Sequence, residues 1–334
     1  MSTPSRIAIL SFAHMHAQSY ASSLASHPDA VLAGVWDDDS VRGAENASAH
    51  GAPFFEDLAA LLARPLDGVV ITSENIRHRE LVEAVCSSGE GVKAILCEKP
   101  LATTHADGEA MISACDTAGI RLATAFPCRY SPPFQRAAAI VRSGKLGRVL
   151  AIRATNHGAC PFGWFVDVDK SGGGAIIDHT VHVADLNRVL LGAEAVDVYA
   201  ESGNRMYHQT WEDTGFLTIT YAGGTFATLD TSWTRPPKSF KTWGDVTLEI
   251  VGENGVLNVD LFGQALGRYD ESNGSYRAVG WGSNIDAGLV DDFLRLARGE
   301  EAPAIATGQD GLAAADVAFA AYESLRTRQA VQVS

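Results

Sequence analysis

Three residues have the types and spacing to do chemistry together. They are Lys99, in the run Glu98-Lys99-Pro100, and the pair Asp178 and His182, which follow Gly172-Gly173-Gly174. On a helix over residues 175–190, Asp178 and His182 stand at i and i+4, so they share one face and can touch. A carboxylate beside an imidazole sets its tautomer and raises its basicity, which suits His182 to take a proton from a hydroxyl near neutral pH. Lys99 adds a cation. A cation, a base and an orienting acid suit exchange between an alcohol and a ketone. Lys99 lies far upstream of the pair, so the fold must bring the groups together.

The elements that position them follow from the apolar pattern. Arg6–Leu10, Ala30–Trp36, Gly68–Thr72, Ala94–Cys97 and Arg121–Ala125 read as strands, and helical stretches over 16–26, 41–50, 77–88 and 104–118 separate them. This alternation predicts a doubly wound parallel sheet over residues 1–126, covered on both faces, with right-handed crossovers. Ligands of such sheets bind at the carboxyl ends of strands, where Ser11, Asp37, Ser73 and Glu98 fall. Residues 127–334 read as an α+β domain. A helix over 133–143 leads into Val149–Ala154, and the Asp178 helix follows. Ala195–Ala200, Gly215–Ser232 and Asp245–Leu261 are then patterned with period two, with turns at Tyr221-Ala222-Gly223-Gly224 and Gly252-Glu253-Asn254-Gly255. That pattern predicts a largely antiparallel open sheet. Helices over 285–298 and 311–328 close the chain, and Gly282-Ser283-Asn284 reads as a loop.

Composition narrows the function classes. The chain has 334 residues, 46% hydrophobic and 20% charged, an ordinary globular balance. A net charge of −14 argues against nucleic acid and anionic membranes as partners. No apolar run reaches membrane-spanning length and no signal segment opens the chain, so a soluble cytoplasmic protein is expected. Five scattered cysteines without CxxC spacing predict buried reduced thiols rather than a disulfide framework or metal cluster.

Glu98-Lys99-Pro100 after a strand, Gly172-Gly173-Gly174 followed by Asp178, His182 and Asp185, and Asn75 with His78 after the third strand resemble, in this order, the Gfo/Idh/MocA family of nicotinamide-dependent oxidoreductases. The resemblance spans nearly the whole chain. It implies a Rossmann domain followed by an open mixed sheet that commonly packs against another subunit, hence a homodimer or homotetramer. It implies NAD chemistry on a sugar, inositol or related polyol. By matching motif, Lys99 resembles the lysine that binds the reacting oxygen, Asp178 a substrate-binding or base-assisting carboxylate, and His182 the general acid/base. Two alternatives stand beside this reading. One is redox-neutral, NAD-dependent glycoside cleavage; the other is a non-catalytic nucleotide- or ligand-binding regulator, against which the presence of Lys99, Asp178 and His182 argues.

The dinucleotide turn departs from the glycine pattern. Ser11, Ala13 and His16 occupy the three glycine positions of Ser11-Phe12-Ala13-His14-Met15-His16. Ser and Ala are small enough for the turn, His16 is not, and the helix start still favours phosphate. Asp37 is positioned for a ribose hydroxyl. With Asp38 and Asp39 beside it and no basic residue before Arg42, NAD is favoured over NADP. Ser73, Asn75 and His78 fall where the third-strand loop meets the cofactor, and Glu98 stands beside Lys99. His14 and His16, with His157, His179 and His182, are zinc-type side chains, but no CxxC or HExxH accompanies them and no metal is expected. His14 or His16 is expected at the pyrophosphate or on the cleft wall.

Further residues carry two readings each. Arg129 binds substrate oxygens or forms a salt bridge. Trp164 and Phe165 wall the cleft or pack the core. His179 is expected near the site, and Asp185 is structural. Tyr207, His208 and Trp211 face substrate or a neighbouring subunit. The stretch from Trp233 to Trp243, with Arg235, Lys238 and Lys241, is a site rim or a solvated loop.

Overall fold

Strands that are apolar along their whole length need cover on both faces, and the first third of the chain supplies it. The structure, a computed structural model, describes residues 3–236, 244–270, 272, 274–280 and 283–334. Lys238, Lys241, Trp243 and Gly282 lie outside the described residues. Contacts divide the chain into two compact units. The first holds residues 3–127, 169–172 and 285–312, and the second holds 128–168, 173–284 and 313–334.

In the first unit, β1 (Ser5–Leu10), β2 (Ala30–Trp36), β3 (Phe54–Phe55), β4 (Gly68–Ile71), β5 (Ala94–Cys97) and β6 (Arg121–Thr124) pair in parallel, and the late strand β15 (Ala306–Thr307) adds antiparallel to β6. The order β15-β6-β5-β4-β1-β2-β3 reverses direction at β1 and β4, the switch point where such sheets bind ligands. The connecting helices are α1 (Ala17–Ser26), α2 (Ser40–Ala49), α3 (Leu58–Leu62), α4 (His78–Ser88) and α5 (His105–Ala118). Asp39 starts α2 by accepting from the Val41 and Arg42 amides. Thr104 does the same for α5 at Asp107, and Gly119 ends α5 in the left-handed region. One face of the sheet packs on Leu61, Leu62, Leu81, Val82, Val85 and Met111. On the other, α9 (Ile285–Ala297) packs against α1 and buries Leu289, Val290 and Phe293. A Cβ on Gly68 would come within 2.8 Å of the Phe293 ring. The apolar stripe of α9 and the pairing of β15 with β6 therefore return residues 285–312 to the first unit, whereas the sequence pattern alone assigns them to the second.

In the second unit the strands β7 (Val149–Gly158), β8 (Ala195–Gly203), β9 (Thr214–Tyr221), β10 (Phe226–Ser232), β11 (Gly244–Gly252), β12 (Gly255–Asp260) and β16 (Val331–Gln332) form one sheet in the order β12-β11-β7-β10-β9-β8-β16. Only β7 and β10 pair in parallel, so the sheet is mixed and largely antiparallel. A separate hairpin joins β13 (Ala265–Asp270) to β14 (Ser275–Gly280). The helices are α6 (Pro132–Arg142), the single turn α7 (Val168–Ser171) at the boundary between the units, α8 (Ala175–Leu191), and most of α10 (Gly308–Thr327). Period-two patterning sends Leu217, Ile219, Ala227 and Leu229 to the α8 side, while Phe216, Phe226, Thr218 and Thr228 face outward. The two-residue strands are missing from the sequence reading, because segments that short carry little periodicity; the β13–β14 hairpin is missing as well.

Candidate active site

The turn after β1 contains no glycine, so a residue with a side chain bears its left-handed position. Ser11 has φ +74°, in the left-handed region, and its hydroxyl accepts the Ala13 amide at 3.1 Å, which offsets part of the strain. The Phe12 amide donates to Asp37 Oδ2 at 2.7 Å, and the His14 amide donates to the Thr72 carbonyl at 2.9 Å. His16, in the third glycine position, precedes α1 and turns its ring back toward β5.

There it meets Glu98, which is fully buried. Glu98 Oε1 accepts from Tyr20 Oη at 2.7 Å and lies 3.1 Å from His16 Nδ1; Oε2 accepts the Lys99 amide at 3.0 Å, with His14 Nε2 at 3.8 Å. Burial opposes ionisation of Glu98, but His14, His16 and Lys99 outweigh it and hold the carboxyl well below the usual carboxylate range. Burial likewise opposes charge on His16, while the Glu98 charge and hydrogen bond raise its pKa above the ordinary value. The ligand atoms of His14, His16 and Glu98 lie within 4.8 Å of one another, a spacing a metal could bridge. The hydrogen bonds argue otherwise. His14 Nδ1 accepts the His16 amide at 3.2 Å, so in the neutral ring Nε2 carries the proton and has no lone pair to give a metal. The cluster instead reads as a buried carboxylate held by donors.

Lys99 follows at the carboxyl end of β5, 4% exposed. His78, fully buried, points Nδ1 at the carbonyls of Pro100 and Leu101, both at 3.1 Å, and burial lowers its pKa, so the ring is a neutral donor. It braces the Lys99 segment. Asn75 donates to the Ser171 carbonyl at 2.8 Å, and Ser73 to the Glu74 carbonyl at 3.1 Å.

Asp37 differs from its expected surroundings. A carboxylate offers about four acceptor positions. Those of Asp37 take the Phe12 amide (2.7 Å), the Asp39 amide (3.0 Å), Arg42 Nε (3.0 Å) and Arg42 Nη2 (2.6 Å). Arg42 also reaches Asp38 at 2.9 Å. Arg77 pairs with Asp38 at 2.7 Å and lies over the Trp36 ring, 5.6 Å from its centroid. Asp37 and Asp38 are therefore paired with Arg42 and Arg77, while Asp39 is taken up by the Val41 and Arg42 amides at the start of α2.

In the second unit, α8 carries Asp178, His179 and His182, all buried. Asp178 Oδ2 accepts from Trp233 Nε1 at 2.9 Å and lies 3.2 Å from His179 Nε2. His179 Nδ1 lies 3.0 Å from the Asn156 carbonyl, which can only accept. Trp233 and His179 are partners that the spacing of Asp178 did not indicate; His182 sits one turn further on, at i+4. Trp233 is fully buried after β10, neither rim nor solvated loop. With Trp211, Phe165 and Cys160 it forms an apolar cluster, against which Trp164 and Tyr207 pack; Trp164 stacks on Phe165 at 3.9 Å. Core packing is the role the structure gives Trp211 and Phe165, both buried, whereas Trp164 is only partly buried at the edge of the cluster. Arg129 is the salt-bridge case of its two readings: Nε donates to Asp185 Oδ2 at 2.8 Å and Nη2 pairs with Oδ1, both side chains buried.

The start of α8 shows residues that sequence reasoning missed. Glu212 Oε1 accepts from the Gly174 amide (2.9 Å), the Ile176 amide (3.1 Å) and Tyr322 Oη (2.7 Å). A Cβ on Gly173 would strike the Tyr322 hydroxyl, and one on Gly174 the Glu212 carbonyl. The glycine run was a visible signal of close approach, but its partners lie 38 and 148 residues away from Gly174.

Residues 6–126 match the family model described as "Oxidoreductase family, NAD-binding Rossmann fold", and residues 134–258 match the "GFO/IDH/MocA C-terminal domain". An inositol 2-dehydrogenase of Rubrobacter xylanophilus is 30% identical over 90% of this chain and 85% of that protein. A myo-inositol 2-dehydrogenase of Thermotoga maritima is 25% identical over 94% of each. Among solved structures, GenD2 from gentamicin A biosynthesis, in complex with NAD, superposes with a TM-score of 0.89 at 25% identity, over 100% of this chain and 97% of that one.

Proposed function

The chain belongs to the Gfo/Idh/MocA family of oxidoreductases, with an NAD-binding Rossmann domain at its start, and from that premise we propose that it moves a hydride between NAD and a secondary hydroxyl or ketone of a sugar, inositol or related polyol. The observation that carries the reading is a buried lysine at the carboxyl end of a Rossmann strand, braced by His78 and Glu98. The inositol dehydrogenases among its relatives support the substrate class.

The residues present fit the cofactor. α1 has no acidic residue in its first turn and no side chain capping its amides, so its positive end suits a pyrophosphate. Ser11, Phe12, Ala13, His14 and His16 would hold the phosphates, with Asp37 bracing that turn through the Phe12 amide; Ser73, Asn75 and His78 would support the nicotinamide half. When bound, NAD supplies the hydride acceptor and donor at its nicotinamide ring. Lys99 Nζ holds the reacting oxygen and stabilises the negative charge that grows on it. His182 takes the hydroxyl proton and returns it in the reverse direction. Asp178, oriented by Trp233 and His179, fixes the substrate or the base. His179 and Trp164 contribute to the substrate wall, and Arg129 to its support through Asp185.

The test is a panel of inositols and aldoses with NAD, following NADH absorbance, together with Lys99→Met and His182→Asn. Each substitution is expected to lower kcat by about 10²–10⁴-fold while NAD affinity is kept. No NADH with any member of the panel, or full activity in either variant, overturns the reading. In the same reading the enzyme is cytoplasmic and a homodimer or homotetramer. Self-association uses the outward face of the second sheet, where Phe216 and Phe226 are 58% and 49% exposed. Light scattering that finds only monomer contradicts that part.

A further inference from the structure

Two thiols outside every role assigned above stand side by side in the first unit. Cys86, near the end of α4, and Cys115, in the last turn of α5, have Sγ atoms 3.5 Å apart although they are 29 residues apart in sequence. Cys115 is buried in the core with Val82, Val85 and Met111, while Cys86 is partly exposed. Of the other cysteines in this unit, Cys97 is fully buried. The pair therefore joins a partly exposed cysteine to a buried one at 3.5 Å, the arrangement of an attacking and a resolving thiol.

We propose that Cys86 and Cys115 form a reversible disulfide by exchange with a small-molecule disulfide, tying α4 to α5, the helices that precede and follow the strand carrying Lys99. The inference is independent of the proposed substrate. The Cys86 thiolate attacks one sulfur of the small disulfide RSSR; that S–S bond breaks, and the released RS⁻ takes up a proton. Cys115 then gives its proton to solvent and attacks Cys86 Sγ, breaking the mixed disulfide and releasing the second RS⁻. In sum, two cysteine thiols and RSSR become one protein disulfide and two RSH, with two electrons passing from the cysteines to the reagent.

The division of labour follows from the surroundings. A hydrogen bond from Cys115, working against burial, holds the Cys86 thiol below its ordinary value. The same contact, with burial, holds Cys115 well above its own. The charged groups that bear on the pair are Glu83 on Cys86 and Asp116 on Cys115. From 3.5 Å the sulfurs have about 1.5 Å to close to bonding distance.

The test treats the full-length protein with oxidised glutathione, removes the reagent, alkylates remaining thiols under denaturing conditions, and measures intact and peptide masses. The expected result is loss of two hydrogen atoms, two of the five cysteines protected from alkylation, and a linked peptide pair containing Cys86 and Cys115. Dithiothreitol reverses all three, and the oxidised form melts about 5 °C higher. Cys86→Ser abolishes the mass loss. A stable glutathione adduct on Cys86 with Cys115 still alkylated, no change in mass, or an unchanged mass loss in Cys86→Ser each overturns the proposal. Cys115→Ala serves as the second variant, and the wild-type peptide map decides even if that variant folds poorly.

Discussion

The starts of α1 and α8 obey the same electrostatics and are used in opposite ways. Each helix presents unpaired amides and a positive dipole end. At α8 the protein answers them itself: Glu212 accepts two of the amides and the Tyr322 hydroxyl, and Gly173 and Gly174 exist so that these partners can approach. At α1 no acidic residue stands in the first turn, and the residue before the helix, His16, directs its ring to Glu98 instead of capping. A glycine-rich stretch ahead of a helix is therefore structural here, while the glycine-free turn is the one suited to phosphate. What separates the two is whether a carboxylate of the chain accepts the helix-start amides, as Glu212 does at α8, or engages only side chains there, as Glu98 and Asp286 do at α1.

The comparison breaks most visibly at Gly173. Gly173→Ala places a Cβ against the Tyr322 hydroxyl and is expected to cost about 3 kcal/mol in urea unfolding. A variant as stable as the parent would show that the glycine run is not there for this contact. Glu212→Ala tests the anchor itself. It leaves the Ile176 amide and the half-buried Tyr322 hydroxyl short of an acceptor, while the Gly174 amide keeps Tyr322 Oη, for about 2 kcal/mol. Because Glu212 belongs to the α8 start, NAD affinity measured by fluorescence titration should stay within about twofold of the parent. A parallel collapse of NAD binding would show that the two helix starts are not independent.

How far this was legible in sequence follows from range. The five longer strands of the first unit and α1, α2, α4 and α5 are legible nearly to the residue, since each is specified by its own apolar run and by local caps such as Asp39 and Thr104; the short β3, α3 and β15 are not. Lys99, Asp178 and His182 stand out from short motifs, and all three are buried. Partnerships across long separations were not legible. Spacing at i,i+4 puts Asp178 and His182 on one face, but it could not show that Trp233, 55 residues on, donates to Asp178. The return of α9 to the first unit was hidden for the same reason: its apolar stripe says that it packs, not on what. Arg42 is the first basic residue after the aspartates, and charge along a sequence does not show that its long side chain folds back onto Asp37.

Ser11 sharpens the other side of the comparison. In a glycine-free turn the left-handed φ of +74° must be borne by a residue with a Cβ, and the Ser11 hydroxyl bond to the Ala13 amide is its compensation. Ser11→Ala keeps the strain and removes the compensation; Ser11→Gly removes both. Ser11→Ala should therefore be the less stable of the two, by about 1 kcal/mol in denaturant titration. Equal stability would mean that the turn relaxes to another conformation.

The smallest effect concerns the imidazole that replaces the third glycine. The His16 pKa is raised above 6.5 by Glu98 in the folded state, so its contribution to stability is complete below 6.5 and is lost as pH climbs through the raised value. The Glu98 pKa is lowered from 4.5, so its contribution is present above 4.5 and is lost only when pH falls through its much lower folded value. The pair is therefore strongest between those two limits and weakens on the alkaline side through His16 alone. With the ring 32% exposed, solvent screens it, and the loss should be at most about 1 kcal/mol. His157, whose pKa is also raised, between Asp230 and Asp245, weakens with pH in the same direction, so a single melting curve cannot isolate His16. Comparing the parent with His16→Gln at pH values near 6 and near 9 does, because His157 titrates in both proteins. The stability advantage of the parent should shrink toward alkaline pH. A constant difference would mean that His16 stays neutral beside Glu98, and the start of α1 would then carry no charge of its own to set against the Glu212 carboxylate at α8.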